Sequence, residues 1–510
     1  MFDARSCARL LLALLFAAGA SPASQLILNA QVADGTGAAP RRADVRIDAD
    51  RIVAVGKLAP TRGEEVIDAA GRVLAPGFID THSHHDLGLD EQRDAAAAVS
   101  QGITTIVVGQ DGSSEFPLRD FFRKRDATPA SVNVAAYSGH GTLREQVLKQ
   151  DYKRHATAAE VAAMRKLLED DLRAGAVGLS SGLEYDPGTY SDTSELIELA
   201  RASARQGGRY ISHMRSEDVK IDAAIDELLQ IGQQACLPVQ ISHFKLALRT
   251  RWGEARSLLT RLDQARASGI DVTADAYPYE YWQSTLTVLF PERNFTDRHT
   301  AEFALTHLAA PEDLTLSRFE ADPSLVGRSI ADIARQRGTD APATLMNLIA
   351  ESQRNGSEEM VIAKSMSDAD IATLIAWPQT NVSSDGMLTD MHPRGAGSFT
   401  RVLRRYVREQ KLLTLEQAVH KMSGLPAAHM GFADRGVIKA GAYADLVLFD
   451  PATVTDNATI AQPHALSSGI ERVWVNGQTV WKDGHTTQTY SGKTVRRSAK
   501  AAPFTCKATS

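Results

Sequence analysis

The chain has 510 residues, of which 43% are hydrophobic, and its formal net charge at pH 7 is −6. This composition is typical of a soluble globular protein, and the length allows one large domain with a smaller one beside it. No basic stripe appears along the chain, so we do not expect it to bind nucleic acid.

Residues 1–23 carry the pattern of a signal peptide. Two arginines precede an apolar run at residues 10–20, and Ser21 and Ala23 supply the small residues of a cleavage site. The run is too short to anchor the protein in a membrane, and a buried first helix is the structural alternative. We therefore expect an exported, periplasmic protein without a membrane anchor.

The three cysteines predict no disulfide framework. Cys7 would leave with the signal peptide, which leaves Cys236 and Cys506 far apart in the chain. Neither lies beside a histidine as a metal motif would require, so we assign them no function.

Both ends of the mature chain predict short strands. Residues 26–28, 45–47 and 51–56 are strand-like near the start, and residues 444–449 and 473–477 are strand-like near the end. This predicts one small β-sandwich domain assembled from residues 24–74 and 428–490. The small, polar and basic residues 491–510 are expected to form a disordered tail.

The long middle region, residues 75–427, repeats a β-branched run, a polar loop and a helical pattern. Eight candidate strands lie at residues 77–80, 104–108, 133–137, 176–180, 209–212, 238–242, 271–274 and 380–383. Alternating strands and helices imply a parallel sheet, and eight such units can close into a (β/α)8 TIM-like barrel of the α/β class. A doubly wound open sheet is the alternative, but it normally has fewer strands.

The gap between the seventh and eighth strands is too long for an ordinary loop. We expect a folded insertion at about residues 288–376 that covers the mouth of the barrel.

The first predicted strand ends in a pair of histidines. Strand alternation places His82 and His84 on one face, whereas His85 points away or lies in the loop. A lone histidine is usually structural, but two at this spacing after a strand indicate metal ligands.

Further polar residues follow other strands at the edge where barrel enzymes place their chemistry. They are Asp111, Glu184, His213 with Arg215 on the same face, His243 with Lys245 on the same face, and Asp385. Each acid by itself could be a turn residue, a helix cap or a solvated surface charge. Polar residues at the ends of six strands, however, favour a single functional site at that edge of the barrel.

Four imidazoles and two or three carboxylates exceed the ligands of one tetrahedral ion, so we expect two divalent cations, most simply Zn²⁺. A paired site can make a metal-bound hydroxide available at neutral pH and polarise a carbonyl. Asp385 could then carry the proton to a departing amine.

Several segments together resemble the D-aminoacylase (N-acyl-D-amino-acid deacylase) branch of the amidohydrolases. They are PGFIDTHSHHD, VSQGITTIVVG, GLEYDPGTYS, ISHMRSE, ISHFK, DAYPY, SSDGM and HPRGAGSF. The resemblance extends from about residue 25 to about residue 484. It implies hydrolysis of the linear amide bond of N-acyl-D-amino acids or related N-acyl compounds.

The resemblance also implies roles for individual residues. The metal ligands would be His82, His84, His213 and His243, with Asp385 catalytic and also a ligand. The substrate's carboxylate would be held by Lys245, Tyr277, Ser284 and Arg394, with Tyr185 nearby and Arg215 a further candidate.

The chain departs from the family at the residue that bridges the metals. Well-known D-aminoacylases have a cysteine after the second strand, where this chain has Asp111, and many other amidohydrolases have a carbamylated lysine where it has Glu184. We expect Glu184 to be the bridge and Asp111 to be a supporting group or an alternative ligand.

Three other interpretations of the sequence compete with a D-aminoacylase-like enzyme. Residues 178–182 match the G-x-S-x-G motif of serine hydrolases around Ser180, but the following residues cannot begin the helix that this motif requires. A non-catalytic binding protein on a degenerate barrel is a second alternative. Within the metal enzymes, a dipeptidase or a cyclic-amide hydrolase, such as a hydantoinase or dihydroorotase, is the third. The partner in each hydrolase reading is a small molecule, and the sequence does not reveal the oligomeric state.

Overall fold

The computed structural model describes residues 24–497, so the predicted signal peptide lies outside the described residues. The amino-terminal region forms five strands. They are β1 (Gln25–Val32), β2 (Arg41–Asp48), β3 (Arg51–Gly56), β4 (Glu65–Asp68) and β5 (Val73–Pro76). Strand β1 pairs antiparallel with β2 and parallel with both β4 and β5.

The next region supplies seven of the eight barrel strands. They are β6 (Phe78–Asp80), β7 (Ile103–Val108), β8 (Asn133–Ala136) continued by β9 (Ser138–Gly139), β10 (Gly178–Gly182), β11 (Arg209–His213), β12 (Val239–Ile241) and β13 (Val272–Ala276). All pair in parallel with their neighbours. These strands are buried because helices cover the outside of the barrel, which suits the β-branched, largely apolar sequence of β7. Strands β10 to β13 also carry buried polar residues, which face one another inside the barrel.

The helices between these strands are α1 (Ala96–Val99), α2 (Leu118–Ala127), α3 (His140–Leu148), α4 (Ala158–Ala174), α5 (Thr193–Arg205), α6 (Ile221–Ala235) and α7 (Ala255–Ala267). Local sequence defines their ends well. In α4, for example, Thr157 and Glu160 form a capping box, and Gly175 ends the helix in the left-handed conformation.

The predicted insertion is a folded unit, but its limits differ from the prediction. Three antiparallel strands form its sheet, in the order β14 (Tyr281–Ser284), β16 (Glu359–Lys364) and β15 (Leu314–Phe319). Helices α8 (Arg298–His307), α9 (Ile330–Arg337) and α10 (Ala341–Asn355) accompany them. The insertion therefore begins before residue 288, while α11 (Asp368–Ala376) packs on β13 and β17 as a barrel helix.

The eighth barrel strand, β17 (Thr380–Val382), pairs in parallel with β13. Backbone hydrogen bonds from Val177 N to Ala136 O (2.9 Å) and from Asp385 N to His82 O (2.8 Å) connect the two arcs of strands into a closed barrel. The following helices are α12 (Arg394–Arg401), which continues as a π-helix over Val402–Glu409, then α13 (Leu415–Met422) and α14 (Gly424–Met430).

The last strands are β18 (Leu446–Phe449), β19 (Ile470–Val475), β20 (Gln478–Lys482) and β21 (His485–Thr486). Strand β18 pairs with β5, so both ends of the chain contribute to one nine-stranded sheet with its own hydrophobic cluster.

Two details differ from the sequence predictions. Residues 491–497, predicted as the start of a disordered tail, lie against the barrel, where Gly492 N bonds to Ala130 O and Val495 N to Val134 O. Cys236, to which no function was assigned, is disulfide-bonded. Between residues 24 and 497, no helix combines the length and apolar character needed to cross a membrane.

Candidate metal centre

A cavity of about 420 Å³ opens at the carboxyl ends of the barrel strands. One side is lined by the polar residues that follow the strands. The insertion supplies much of the other side, including Trp282, Val288, Leu289, Leu308 and Met360. The cavity therefore joins a polar floor to a largely apolar wall, as small-molecule sites usually do.

The first group of ligand atoms contains His82, His84, Asp111 and Asp385. Asp111 Oδ2 lies 3.3 Å from His82 Nε2 and 3.2 Å from His84 Nε2. Asp385 Oδ1 lies 3.3 Å and 3.4 Å from the same two nitrogens. Two imidazoles and two carboxylates thus converge on one point from three loops.

The second group contains Asp111, His213 and His243. His243 Nε2 lies 3.4 Å from Asp111 Oδ1 and 3.0 Å from His213 Nδ1. Because its two oxygens face different histidine pairs, Asp111 lies between the two groups.

The ligand atoms of the first group have the spacing that a cation requires. A tetrahedral cation with bonds of about 2.1 Å holds neighbouring ligand atoms about 3.4 Å apart. The four nitrogen–oxygen distances above, from 3.2 to 3.4 Å, match this value. In addition, Asp111 Oδ1 is buried without a hydrogen-bond partner among the described residues. The residues present therefore fit two divalent cations, with Asp111 able to contact both.

The electrostatics of the cluster also favour bound positive charge. Burial by itself would lower the pKa of His84, but the Asp111 and Asp385 carboxylates raise it to about 9. Burial would raise the pKa of Asp111, but the charges of His82 and His243 hold it well below its usual range. The carboxylates and imidazoles of the cluster therefore favour a positive charge between them.

Three site residues have an uncommon backbone conformation. Asp111, His243 and Asp385 have φ values of 53°, 34° and 49°, in the left-handed region. A Cβ atom on Gly182 would lie 2.1 Å from Asp111 O, so only glycine lets this loop approach the end of β10. Such strained positions cluster at functional sites, and here they turn the carboxylates towards the cavity.

Glu184 does not lie between the two groups, contrary to the expectation that it bridges the cations. Its Oε2 lies 2.9 Å from His213 Nε2, and its Oε1 accepts a hydrogen bond from Glu217 N at 3.2 Å. It belongs to a third group with His213 and Glu217. The loop after β10 carries Glu184 to one side of the centre, whereas the Asp111 loop crosses the middle.

Glu217 is a site residue that the sequence analysis missed. Its Oε1 lies 3.0 Å from His243 Nδ1, and its Oε2 accepts a hydrogen bond from Lys245 Nζ at 2.6 Å. The segment ISHMRSE contains Glu217, but the loop position gave no periodicity from which to infer its direction. Lys245 lines the cavity as predicted, although Glu217 balances its charge.

Four other predicted substrate-binding residues also line the cavity: Tyr185, Tyr277, Ser284 and Arg394. Ser284 Oγ donates to the Tyr185 hydroxyl at 3.2 Å, which ties the insertion to the loop after β10. Arg394 contacts Asp385 Oδ2, and its guanidinium carbon lies 4.8 Å from the centre of the Tyr277 ring. The Tyr277 hydroxyl and Arg394 Nε are buried and find no hydrogen-bond partner within residues 24–497.

Arg215 does not reach the cavity. Its guanidinium forms two hydrogen bonds with Glu227, at 2.9 and 3.0 Å, and a third with Thr189 O. Strand β11 ends at His213, so the alternation that placed Arg215 on the same face no longer applies two residues later. The structure gives Arg215 a structural contact instead of a place in the site.

Ser180 has no role as a nucleophile in this arrangement. Its hydroxyl is completely buried, donates to Gly109 O at 2.6 Å and accepts from Gly112 N at 3.3 Å. The serine therefore supports the turn beside Asp111.

Known proteins with similar sequences and structures agree with the metal centre described above. A model described as "Amidohydrolase family" matches residues 65–312 and 294–481. The chain is also 38% identical over 495 residues to an N-acyl-D-glutamate deacylase of Alcaligenes xylosoxydans xylosoxydans, covering 92% of this chain and 96% of the relative. The chain belongs to the amidohydrolase family.

This amidohydrolase is 37% identical over 503 residues to a D-aminoacylase of the same organism, covering 94% of this chain and 98% of the relative. It superposes with a TM-score of 0.84, at 37% identity, on a crystal structure of N-acyl-D-glutamate deacylase from Bordetella bronchiseptica. That match covers 92% of this chain and 99% of the other, which was solved with zinc and a phosphonate mimic of the tetrahedral intermediate. A dihydropyrimidinase from Brevibacillus agri, at 17% identity and a TM-score of 0.59, shares the fold alone. The predicted resemblance and barrel fold are confirmed.

Proposed function

We propose that this amidohydrolase is a metal-dependent deacylase that hydrolyses the linear amide bond of N-acyl-D-amino acids. The observation that carries the proposal is the pairing of two features in one cavity. A centre fitted for two cations lies next to Arg394 and Tyr277, whose buried Nε and hydroxyl have no partner among the described residues. An amino acid carboxylate would supply that partner, because a guanidinium binds a carboxylate with parallel hydrogen bonds.

In this proposal His82, His84, Asp111 and Asp385 would hold one cation, most simply zinc, and Asp111, His213 and His243 would hold the other. When bound, such cations polarise a carbonyl and lower the pKa of a water molecule. Relatives named as deacylases of N-acyl-D-glutamate, and as D-aminoacylase, support both the substrate class and its chirality.

Residues of the chain orient the substrate and transfer the proton. Arg394 and Tyr277 orient the substrate by its carboxylate, which places the amide over the floor of the cavity. Asp385 presents one oxygen to His82 and His84 and the other to Arg394, so its carboxylate lies between the cation site and the substrate. From there it can accept the proton of the attacking water and pass it to the departing amine.

The test is a substrate panel with purified protein. We expect N-acetyl-D-amino acids to be hydrolysed at least ~100-fold more efficiently, in kcat/KM, than their L-enantiomers, a difference of about 2.7 kcal/mol. Dipeptides, hydantoins and dihydroorotate serve as the comparison substrates. Faster hydrolysis of any of these than of every N-acetyl-D-amino acid would reject the proposal in favour of a dipeptidase or cyclic-amide hydrolase.

We further infer that the protein is exported and acts in the periplasm. The signal-peptide pattern of residues 1–23 supports this, and so does the disulfide bond of Cys236, since disulfides persist in oxidising compartments.

A further inference from the structure

Asp275 is the last residue but one of strand β13. Its side chain is completely buried and has no part in the steps proposed above. Its Oδ1 accepts hydrogen bonds from His243 N at 2.8 Å and from Ser383 Oγ at 3.0 Å, and it lies 3.5 Å from His82 Nδ1. Its Oδ2 accepts a hydrogen bond from Gln240 Nε2 at 2.7 Å. One carboxylate thus contacts a metal-ligating histidine of each group.

Gln240 is itself held in one orientation. Its Oε1 accepts hydrogen bonds from Thr273 Oγ1 and Asn381 Nδ2, both at 3.3 Å. Because these donors occupy the amide oxygen, the amide nitrogen must face Asp275. The buried polar groups inside the barrel therefore fix the direction of every hydrogen bond that reaches this carboxylate.

These directions have a consequence for His82. His82 Nδ1 is buried without a hydrogen bond within residues 24–497, and the acceptor that it faces is Asp275 Oδ1 at 3.5 Å, so this contact favours the ring proton on Nδ1. The lone pair is then on Nε2, which lies 3.3 Å from both Asp111 Oδ2 and Asp385 Oδ1. His243 has a φ of 34°, in the left-handed region. The hydrogen bond from its backbone N–H to Asp275 Oδ1 holds the backbone in this conformation.

We propose that Asp275, oriented by Gln240, is a positioning residue that fixes the ring tautomer of His82 and the backbone of His243, so that both present Nε2 to the cations. The proposal rests on the cation site of the proposed function and not on the identity of the substrate. Carboxylates behind metal-ligating histidines commonly change metal affinity by ~10–100-fold.

The first test replaces the carboxylate by its isosteric amide. Asp275→Asn keeps the volume, but its amide cannot accept from His82 and from Gln240 at once, because one of its two ends is a donor. We expect Zn²⁺ to bind ~10–100-fold more weakly, measured by competition with a chromophoric chelator. The absorption spectrum of the Co²⁺-loaded protein should change as well, since the ligand geometry is altered.

A double variant tests the hydrogen-bond direction itself. In Asp275→Asn/Gln240→Glu, the new carboxylate accepts from the asparagine amide, and the asparagine oxygen is again free to accept from His82 and His243. We expect the double variant to recover most of the Zn²⁺ affinity lost in Asp275→Asn. A purely space-filling role predicts no loss in the single variant and no recovery in the double variant.

Ser383→Ala is the matched control. It removes one hydrogen bond to Asp275 without changing the contacts of Asp275 with the histidines, and we expect Zn²⁺ affinity within ~3-fold of wild type.

If Asp275→Asn does not fold, Gln240→Met removes the donor to Oδ2 at similar volume and should weaken Zn²⁺ binding several-fold. Wild-type affinity in folded Asp275→Asn, or in Gln240→Met, would overturn the proposal. If the wild-type protein itself binds no Zn²⁺, the proposed function fails as well, so the two failures are distinguishable.

Discussion

The barrel floor and the insertion wall of the cavity are built in different ways. The floor consists of residues at the ends of parallel strands, such as His82, His213 and His243, where the barrel topology brings distant parts of the chain to one edge. The wall consists of apolar and polar residues of the insertion, whose sheet pairs strands far apart in sequence. The shared barrel thus fixes the chemistry, while the shape of the substrate site depends on the insertion.

The largest effect is expected on the floor. Asp385→Asn removes the group that moves the proton and should lower kcat by ~10³-fold, within the range of general acid–base catalysis. Metal analysis of the same sample should still find bound cations, because three ligands of the first group remain. Glu145→Gln, which removes an exposed carboxylate at the cavity, is the control and should keep nearly normal turnover. Near-normal turnover of Asp385→Asn would remove this residue from the mechanism.

A smaller effect is expected where the floor meets the wall. Arg394→Met should raise KM by ~10–100-fold for substrates that carry a free carboxylate, because that change removes a charge-assisted hydrogen bond. Substrate analogues in which the carboxylate is replaced by a carboxamide should show little change in KM. An equal loss for both kinds of substrate, measured by steady-state kinetics, would contradict the assigned role.

The smallest effect is expected inside the wall, in stability and not in turnover. Glu359 of β16 is buried, accepts a hydrogen bond from Leu286 N at 2.7 Å, and has a pKa that burial raises to about 8. Since the folded state favours the protonated acid, stability should fall as pH rises from about 4.5 to about 8 and stay level above. Glu359→Gln should remove most of this fall, about 3 to 4 kcal/mol between pH 5 and pH 8, seen in thermal unfolding. An unchanged pH profile of Tm would show that Glu359 is not buried in this way.

The same contrast explains what the sequence could predict. The eight barrel strands followed from repeated local patterns, and the topological rule for barrels placed the polar residues that follow them around one cavity. The start of the insertion was placed too late because β14 pairs with β16, about eighty residues away, and such pairing leaves no local periodicity. Arg215 was misplaced because alternation was extended beyond the end of its strand.

The position of Asp111 shows a second limit. Its place between the two ligand groups depends on a left-handed backbone and on the close approach of its loop to Gly182. Residue type and spacing contain neither piece of information, so the sequence favoured Glu184. Only the loop geometry shows that Asp111, and not Glu184, lies between the first two ligand groups.

The central claim is that one centre, formed by residues far apart in the chain, holds two cations on which hydrolysis depends. The most direct test is to measure metal content and N-acetyl-D-amino acid hydrolysis on one sample, before and after chelation and after Zn²⁺ is restored. We predict about two cations per chain at saturation, loss of activity when both are removed, and recovery with Zn²⁺. Undiminished hydrolysis by the metal-free protein would contradict the account.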